Sequence, residues 1–159
     1  MAQGDVLKPG TAIYESYTMK TDTDAVKGKL YCDDGSGNGL VLATAALAAT
    51  NKVVMPVENH DYSENTSHIV NCVREGLVEA AKISGSGAAK RGQKITISAT
   101  PGACTKFVKG DAPTGGASTY YTATIETGVQ SVTDTNLATI GDAYEDSENA
   151  DTTQKFWLK

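Results

Sequence analysis

Aromatic residues are scarce in this sequence: they fill 6% of its 159 positions, with one tryptophan and two phenylalanines. Hydrophobic residues still make up 40%, much of that Ala and Val, so the core is expected to be built from small side chains. Basic clusters are missing too. The 14 lysines and arginines are scattered, many beside glycines, and 19 acidic residues bring the formal net charge to −5. A groove that tracks a nucleic-acid backbone needs clustered positive charge, so a nucleic-acid partner is not expected. The mild acidity argues against docking on an anionic membrane. No apolar run approaches the length that spans a bilayer. The first ten residues, MAQGDVLKPG, lack the apolar stretch of a secretory signal. The three cysteines, Cys32, Cys72 and Cys104, are odd in number and widely spaced. They offer neither a disulfide framework nor a CxxC metal spacing, so buried free thiols and synthesis in a reducing cytoplasm are expected.

Thr and Gly are abundant, with 20 and 16 residues. Both favour strands and tight turns over long helices. TAIYESYTM (11–19), QKITISATP (93–101) and STYYTATIETGV (118–129) show the alternation of half-buried strands. KLYCDDGSGNGLVLAT (29–44) reads as strand, glycine-rich turn, strand. KVVMPVEN (52–59) is strand-like, with Pro56 marking an edge or bulge. CTKFVKGD (104–111), ATIGDAYEDS (138–147) and KFWLK (155–159) complete the strand set, and AALAAT (45–50) is the one candidate helical turn. HIVNCVREGLVEAAKIS (68–84) is ambiguous, but Gly76 and the branched apolar residues favour two strands broken at that glycine. Short strands at this spacing predict a mostly β fold, a small β-barrel or β-sandwich of short antiparallel strands. Residues 1–12 read as an extended N-terminal arm and 13–159 as a single β domain.

The stretch AAKISGSGAAKRGQKITIS (80–98) superficially suggests a phosphate-binding loop. It lacks the GK[ST] ending, and the segment that follows has strand rather than helix periodicity, so no helix N-terminus would face an anion. DAVKGKLY (24–31), GAAKRGQKITI (87–97) and TKFVKGDA (105–112) share one device instead, a Lys followed closely by Gly. It predicts turns in which glycine takes positive φ and the charges face water.

Candidate chemistry is thin. His60 and His68 flank Asp61 and Glu64 in the polar stretch HDYSENTSH, which reads as an exposed loop without defined metal spacing. Pairing Cys72 with His60 as nucleophile and base rests on nothing beyond the presence of both. TDTD (21–24) and YEDSENAD (144–151) are rich in oxygen ligands but read as charged turns, and the second lacks the EF-hand pattern. No metal, cofactor or catalytic set is assigned, and the chain is not expected to be an enzyme. KFWLK is more informative. In a strand, Phe156 and Leu158 share one face and Trp157 takes the other. One face suits the core and the other a second layer or a subunit contact. The candidate interface residues are Phe156, Trp157 and Leu158 with Val6, Leu7 and Pro9 of the arm. The arm has few core-forming side chains, and by itself should be poorly ordered until it lies across a neighbouring subunit.

The ordered segments GLVEAAK (76–82), GSGAAKRGQKI (85–95), IGDAYED (140–146) and KFWLK resemble the small β-barrel head-decoration proteins of tailed bacterial and archaeal viruses. The likeness covers mostly residues 70–159. The N-terminal half departs from the family pattern, especially at YCDDGSGNG and HDYSENTSH. The resemblance implies a structural virion protein, without an active site, that decorates the outside of an icosahedral capsid. Its partners would be neighbouring major capsid subunits and copies of itself in a homotrimer. The alternatives are another viral surface component, such as a turret or fibre base, and a small glycan- or ligand-binding β domain using Tyr120, Tyr121 and Trp157.

Overall fold

A computed structural model describes residues 3–85, 87–107 and 139–159 of the chain. Its strands are β1 (Ile13–Thr18), β2 (Tyr31–Asp33), β3 (Leu40–Leu42), β4 (Met55–Pro56), β5 (Ile69–Ala81), β6 (Lys94–Ile97), β7 (Cys104–Lys106), β8 (Thr139–Ala143) and β9 (Thr153–Leu158). The expected helical turn is α1 (Ala45–Ala48), capped by the Thr44 side chain, which accepts from the Leu47 N–H. A mostly β, antiparallel fold of the barrel or sandwich class is therefore what the sequence encodes. The strand expected at 118–129 and the turn DAPTGG lie outside the described residues.

The long strand β5 organises everything else. Its first half pairs with β1 on one side and β4 on the other. Its second half pairs with β9, and β9, β8, β6 and β7 follow in order. A bridge from Lys82, just past β5, to Cys104 at the start of β7 brings this path back on itself. A second ring runs the other way. Val54, just before β4, exchanges two backbone hydrogen bonds with Tyr31 of β2, at 2.9 and 2.8 Å. β2 pairs with β3, and Leu40 of β3 bridges to Met19 at the end of β1. The two rings share β5.

Two cores match the two rings. The larger contains Leu30, Cys32, Val53, Met55, Val73, Val78, Ile95, Ile97, Cys104, Ile140, Phe156 and Leu158. The smaller contains Met19, Ala25, Tyr31, Leu40, Val54, Val70 and Cys72. Membership alternates along β2 and around β4: Tyr31 and Val54 enter the small core, while their neighbours Leu30, Cys32, Val53 and Met55 enter the large one. These segments lie between two apolar layers, which is why KVVMP carries consecutive apolar residues instead of an alternation. Pro56 is buried in β4, and the chain beyond it resumes pairing through the Val57 N–H.

The break expected at Gly76 is a bend within one continuous strand. Gly76 has φ +149, and a Cβ placed there would lie 3.0 Å from the Ala12 Cβ. Opposite this bend, the register of β1 shifts between Ile13 and Tyr14. The bend lets one strand serve both rings. The Lys–Gly turns are as expected at two of their three positions, with Gly28 at φ +84 and Gly92 at φ +83. The third falls in residues that are not described. Within 80–98, the described residues between β5 and β6 form turns at 84–85 and 91–92, the second feeding β6, and no helix.

All three cysteines are free and buried. Burial pushes the Cys32 thiol up to about 11 and those of Cys72 and Cys104 up to about 12. They are unreactive side chains of the two cores. Lys82 is also buried, and its ammonium donates to the carbonyls of Glu148, Asn149 and Asp151 at 2.8, 3.4 and 3.3 Å, holding the β8–β9 turn.

Candidate interaction surface

The structure brings together residues from the two ends of the sequence. The N-terminal segment lies along the free side of the second half of β5. Gly4 N–H donates to Glu79 O at 2.6 Å, Glu79 N–H to Asp5 O at 3.0 Å, and Leu7 N–H to Leu77 O at 2.9 Å. On the other side of β5, Leu77 is in register with Trp157. Leu7 and Trp157 thus flank the same residue. Val6 packs against the large core, and Pro9 opens a short 3-10 turn, Pro9–Thr11, exposed at the surface. The arm expected to be poorly ordered by itself pairs within its own chain. The pairing is made by backbone groups, which the scarcity of apolar side chains does not report.

The C-terminal strand divides as its alternation requires. Phe156 is 0% exposed and Leu158 2%, so both side chains belong to the protein's own core and are not available to a partner. Trp157 points the other way and is half-buried. Its ring meets Tyr144 edge to face, with centroids 6.3 Å apart. The Lys8 ammonium lies 5.6 Å from the Trp157 ring and 5.9 Å from that of Tyr144, and the Arg91 guanidinium 5.8 Å from Tyr144. Cation–aromatic contacts of this kind fix the planes of both rings.

Charge pairs frame the aromatic cluster. Asp142, in register with Trp157 across β8 and β9, is held by Lys159 and by Lys94 at 2.5 Å. Hydrogen bonds from Lys159, then Lys94, hold its carboxyl below the usual carboxylate range. Lys155 meets Glu145 at 2.5 Å and Lys90 meets Asp146 at 3.0 Å. The surface is an amphipathic plate: two aromatic rings beside two cations, rimmed by paired charges.

A second surface was not singled out from the sequence. β1 is an edge strand among the described residues, paired along its length only with β5. Tyr17 turns toward the small core, while Ile13 and Tyr14 are 50% and 46% exposed. Ile69, in register with Thr18, is 61% exposed. Between them, Ser16 donates to Asn71 Oδ1 at 2.8 Å. The alternation of TAIYESYTM announced a strand but not which of its faces meets the core. Tyr120 and Tyr121, candidates for a shallow ligand site, lie outside the described residues.

Comparisons with protein-family models, with curated proteins and with solved structures each return no match.

Proposed function

We propose that this protein is a structural capsid-decoration protein that binds the outside of an icosahedral viral shell and bridges neighbouring major capsid subunits. The observation that carries the reading is that β1 is an edge strand among the described residues, with Ile13 and Tyr14 on display at one end and Ile69, beside Thr18, at the other. Large apolar side chains beside unpaired strand edges are costly to leave in water and prone to unwanted pairing. Their retention fits a surface that is covered by another protein, with main-chain pairing and side-chain burial both available. The likeness of residues 70–159 to head-decoration proteins supplies the kind of partner. In this reading β1 faces the shell, and the plate around Trp157, Tyr144, Leu7 and Lys8 supports self-association into a trimer on it.

Co-sedimentation with purified shells that lack the protein tests the proposal, followed by imaging of the pelleted particles. Wild-type protein is expected to pellet with the shells and appear as density on their outer face. The variants Tyr14→Asp and Ile69→Asp, both at exposed positions, should keep the fold and lose the association. Failure of the wild-type protein to pellet, or retention of binding by a protein carrying both substitutions, would count against the assignment.

A further inference from the structure

We propose that His60 and His68 form a two-imidazole site for a divalent transition-metal ion such as zinc. His68 Nδ1 and His60 Nε2 face each other at 3.4 Å. Two nitrogens bound to one tetrahedral zinc, each about 2.0–2.1 Å from the metal, stand about 3.3–3.4 Å apart. The metal-free pair already has the nitrogen-to-nitrogen separation that the ion requires. In that form one ring donates its hydrogen to the other. On metal binding that hydrogen moves to the far nitrogen of its own ring, and both facing nitrogens present lone pairs to the ion.

The dyad is held from several directions. His60 exchanges two backbone hydrogen bonds with Ala25, both at 2.9 Å. The His68 carbonyl accepts from Met19 N–H at 2.8 Å, so both histidines are tied to the one segment 19–25. The Tyr62 ring stacks on His68, with centroids 3.7 Å apart and planes 12° from parallel. Tyr62 is in turn anchored by its N–H, which donates to Asp24 Oδ1 at 2.8 Å. The two imidazoles meet edge to face at 5.7 Å and 80°, so neither stacks over the other's nitrogens. Preorganisation of this kind lowers the ordering cost of binding.

The surroundings favour a cation. The neighbouring loops are acidic: Asp22, Asp24 and Asp61 line a hollow of about 250 Å³ together with Tyr62 and Ser63. The hydroxyl and N–H of Ser63 donate to Asp61 Oδ1 at 2.7 and 2.9 Å, which fixes that carboxylate in place. Imidazole selects zinc, copper or nickel over calcium and magnesium, which seek oxygen. Among the described residues no set of three His, Cys, Asp or Glu side chains converges, so water fills the remaining coordination positions. The site is exchangeable, with a Kd in the micromolar range rather than that of a closed structural site. The buried cysteines do not compete, since their thiols stay protonated.

The test uses the full chain after chelator treatment, titrated with zinc chloride by calorimetry at pH 7.5. Wild-type protein should bind one equivalent. His60→Ala and His68→Ala should each weaken binding by at least about tenfold, and His68→Gln, which keeps a polar planar group under Tyr62, should do the same while retaining the native far-UV spectrum. Magnesium and calcium should not displace zinc. The inference is overturned if the wild type shows no saturable zinc binding, or if the histidine variants bind as well as wild type. It is likewise overturned if Asp61→Asn abolishes binding while His60→Ala does not.

Discussion

Adjacent residues on β9 face opposite environments, and truncating each to alanine separates core from surface. Phe156 is wholly buried in the large core. Phe156→Ala is expected to cost about 3–5 kcal/mol, from lost transfer energy and the cavity left behind. Against a typical domain stability of about 5–15 kcal/mol, and at about 2–4 °C per kcal/mol for a chain of this size, melting should fall by roughly 6–20 °C. Trp157 is half-buried on the outer face. Its truncation loses an edge-to-face contact with Tyr144, about 0.5–1.5 kcal/mol, and a cation contact with Lys8, about 0.5–1 kcal/mol at an exposed site. The total, about 1–2.5 kcal/mol, corresponds to a drop of roughly 2–10 °C. Differential scanning calorimetry of the two variants, with sedimentation velocity on the same samples, gives both numbers. If Trp157 serves self-association, its truncation should also weaken assembly by about 2 kcal/mol or more, whereas Phe156→Ala should act on folding first. A Trp157→Ala protein that melts below the Phe156→Ala protein would refute the assignment of faces.

Gly76→Ala should destabilise by about 1–3 kcal/mol through strain at positive φ alone, with the contact to Ala12 adding to it; an unchanged chemical-denaturation midpoint would be incompatible with the bend. Deleting residues 1–7 should lower the melting temperature, because it strips backbone partners from Leu77 and Glu79; the same melting curve as wild type would show that the arm contributes nothing to the fold. The Asp142 carboxyl is depressed in the folded state, so its pairs contribute stability that is complete above the unfolded value near 3.9 and is lost as pH falls through the lower folded value. Asp142→Asn should therefore flatten that part of the acid limb in pH-dependent denaturation, and an unaltered limb would contradict the pairing. Replacing all three cysteines by Ala should leave the fold intact at some cost in stability and, under the proposed role, shell binding unchanged; a folded variant that no longer binds would reveal a role for the thiols.

Periodicity carried most of the strand reading. The alternation of KFWLK was enough to assign Phe156 and Leu158 to one side and Trp157 to the other, and two of the Lys–Gly turns announced their positive φ. What stayed hidden depends on contacts distant in sequence. The arm pairs through main-chain groups, so its weakly apolar side chains gave no signal. The continuity of β5 through Gly76 depends on β1, β4 and β9 pairing along it, and a lone glycine in a strand pattern reads equally as an end or a bend. The two imidazoles, eight residues apart in a polar loop, meet because Ala25 and Met19 hold their backbones. Nothing in HDYSENTSH encodes that approach. The exposed faces of Tyr14 and Ile69 were invisible for a simpler reason: alternation distinguishes two faces without saying which of them finds a core.

Sharing one strand between two rings has a kinetic consequence. Neither core can open fully without tearing the pairing that supports the other, so the protein should melt in one transition and not as two independent units. Amide exchange should be slowest along Val70–Ala80, the segment common to both, and a lesion in the small core, such as Val70→Ala, should accelerate exchange at Ile95 and Ile140 on the far side. Because β5 must find β1, β4 and β9 across long stretches of chain, folding should be slow for a domain of this size. Once such a unit has formed, partial opening offers little foothold to a protease, and its persistence is set by a single unfolding barrier.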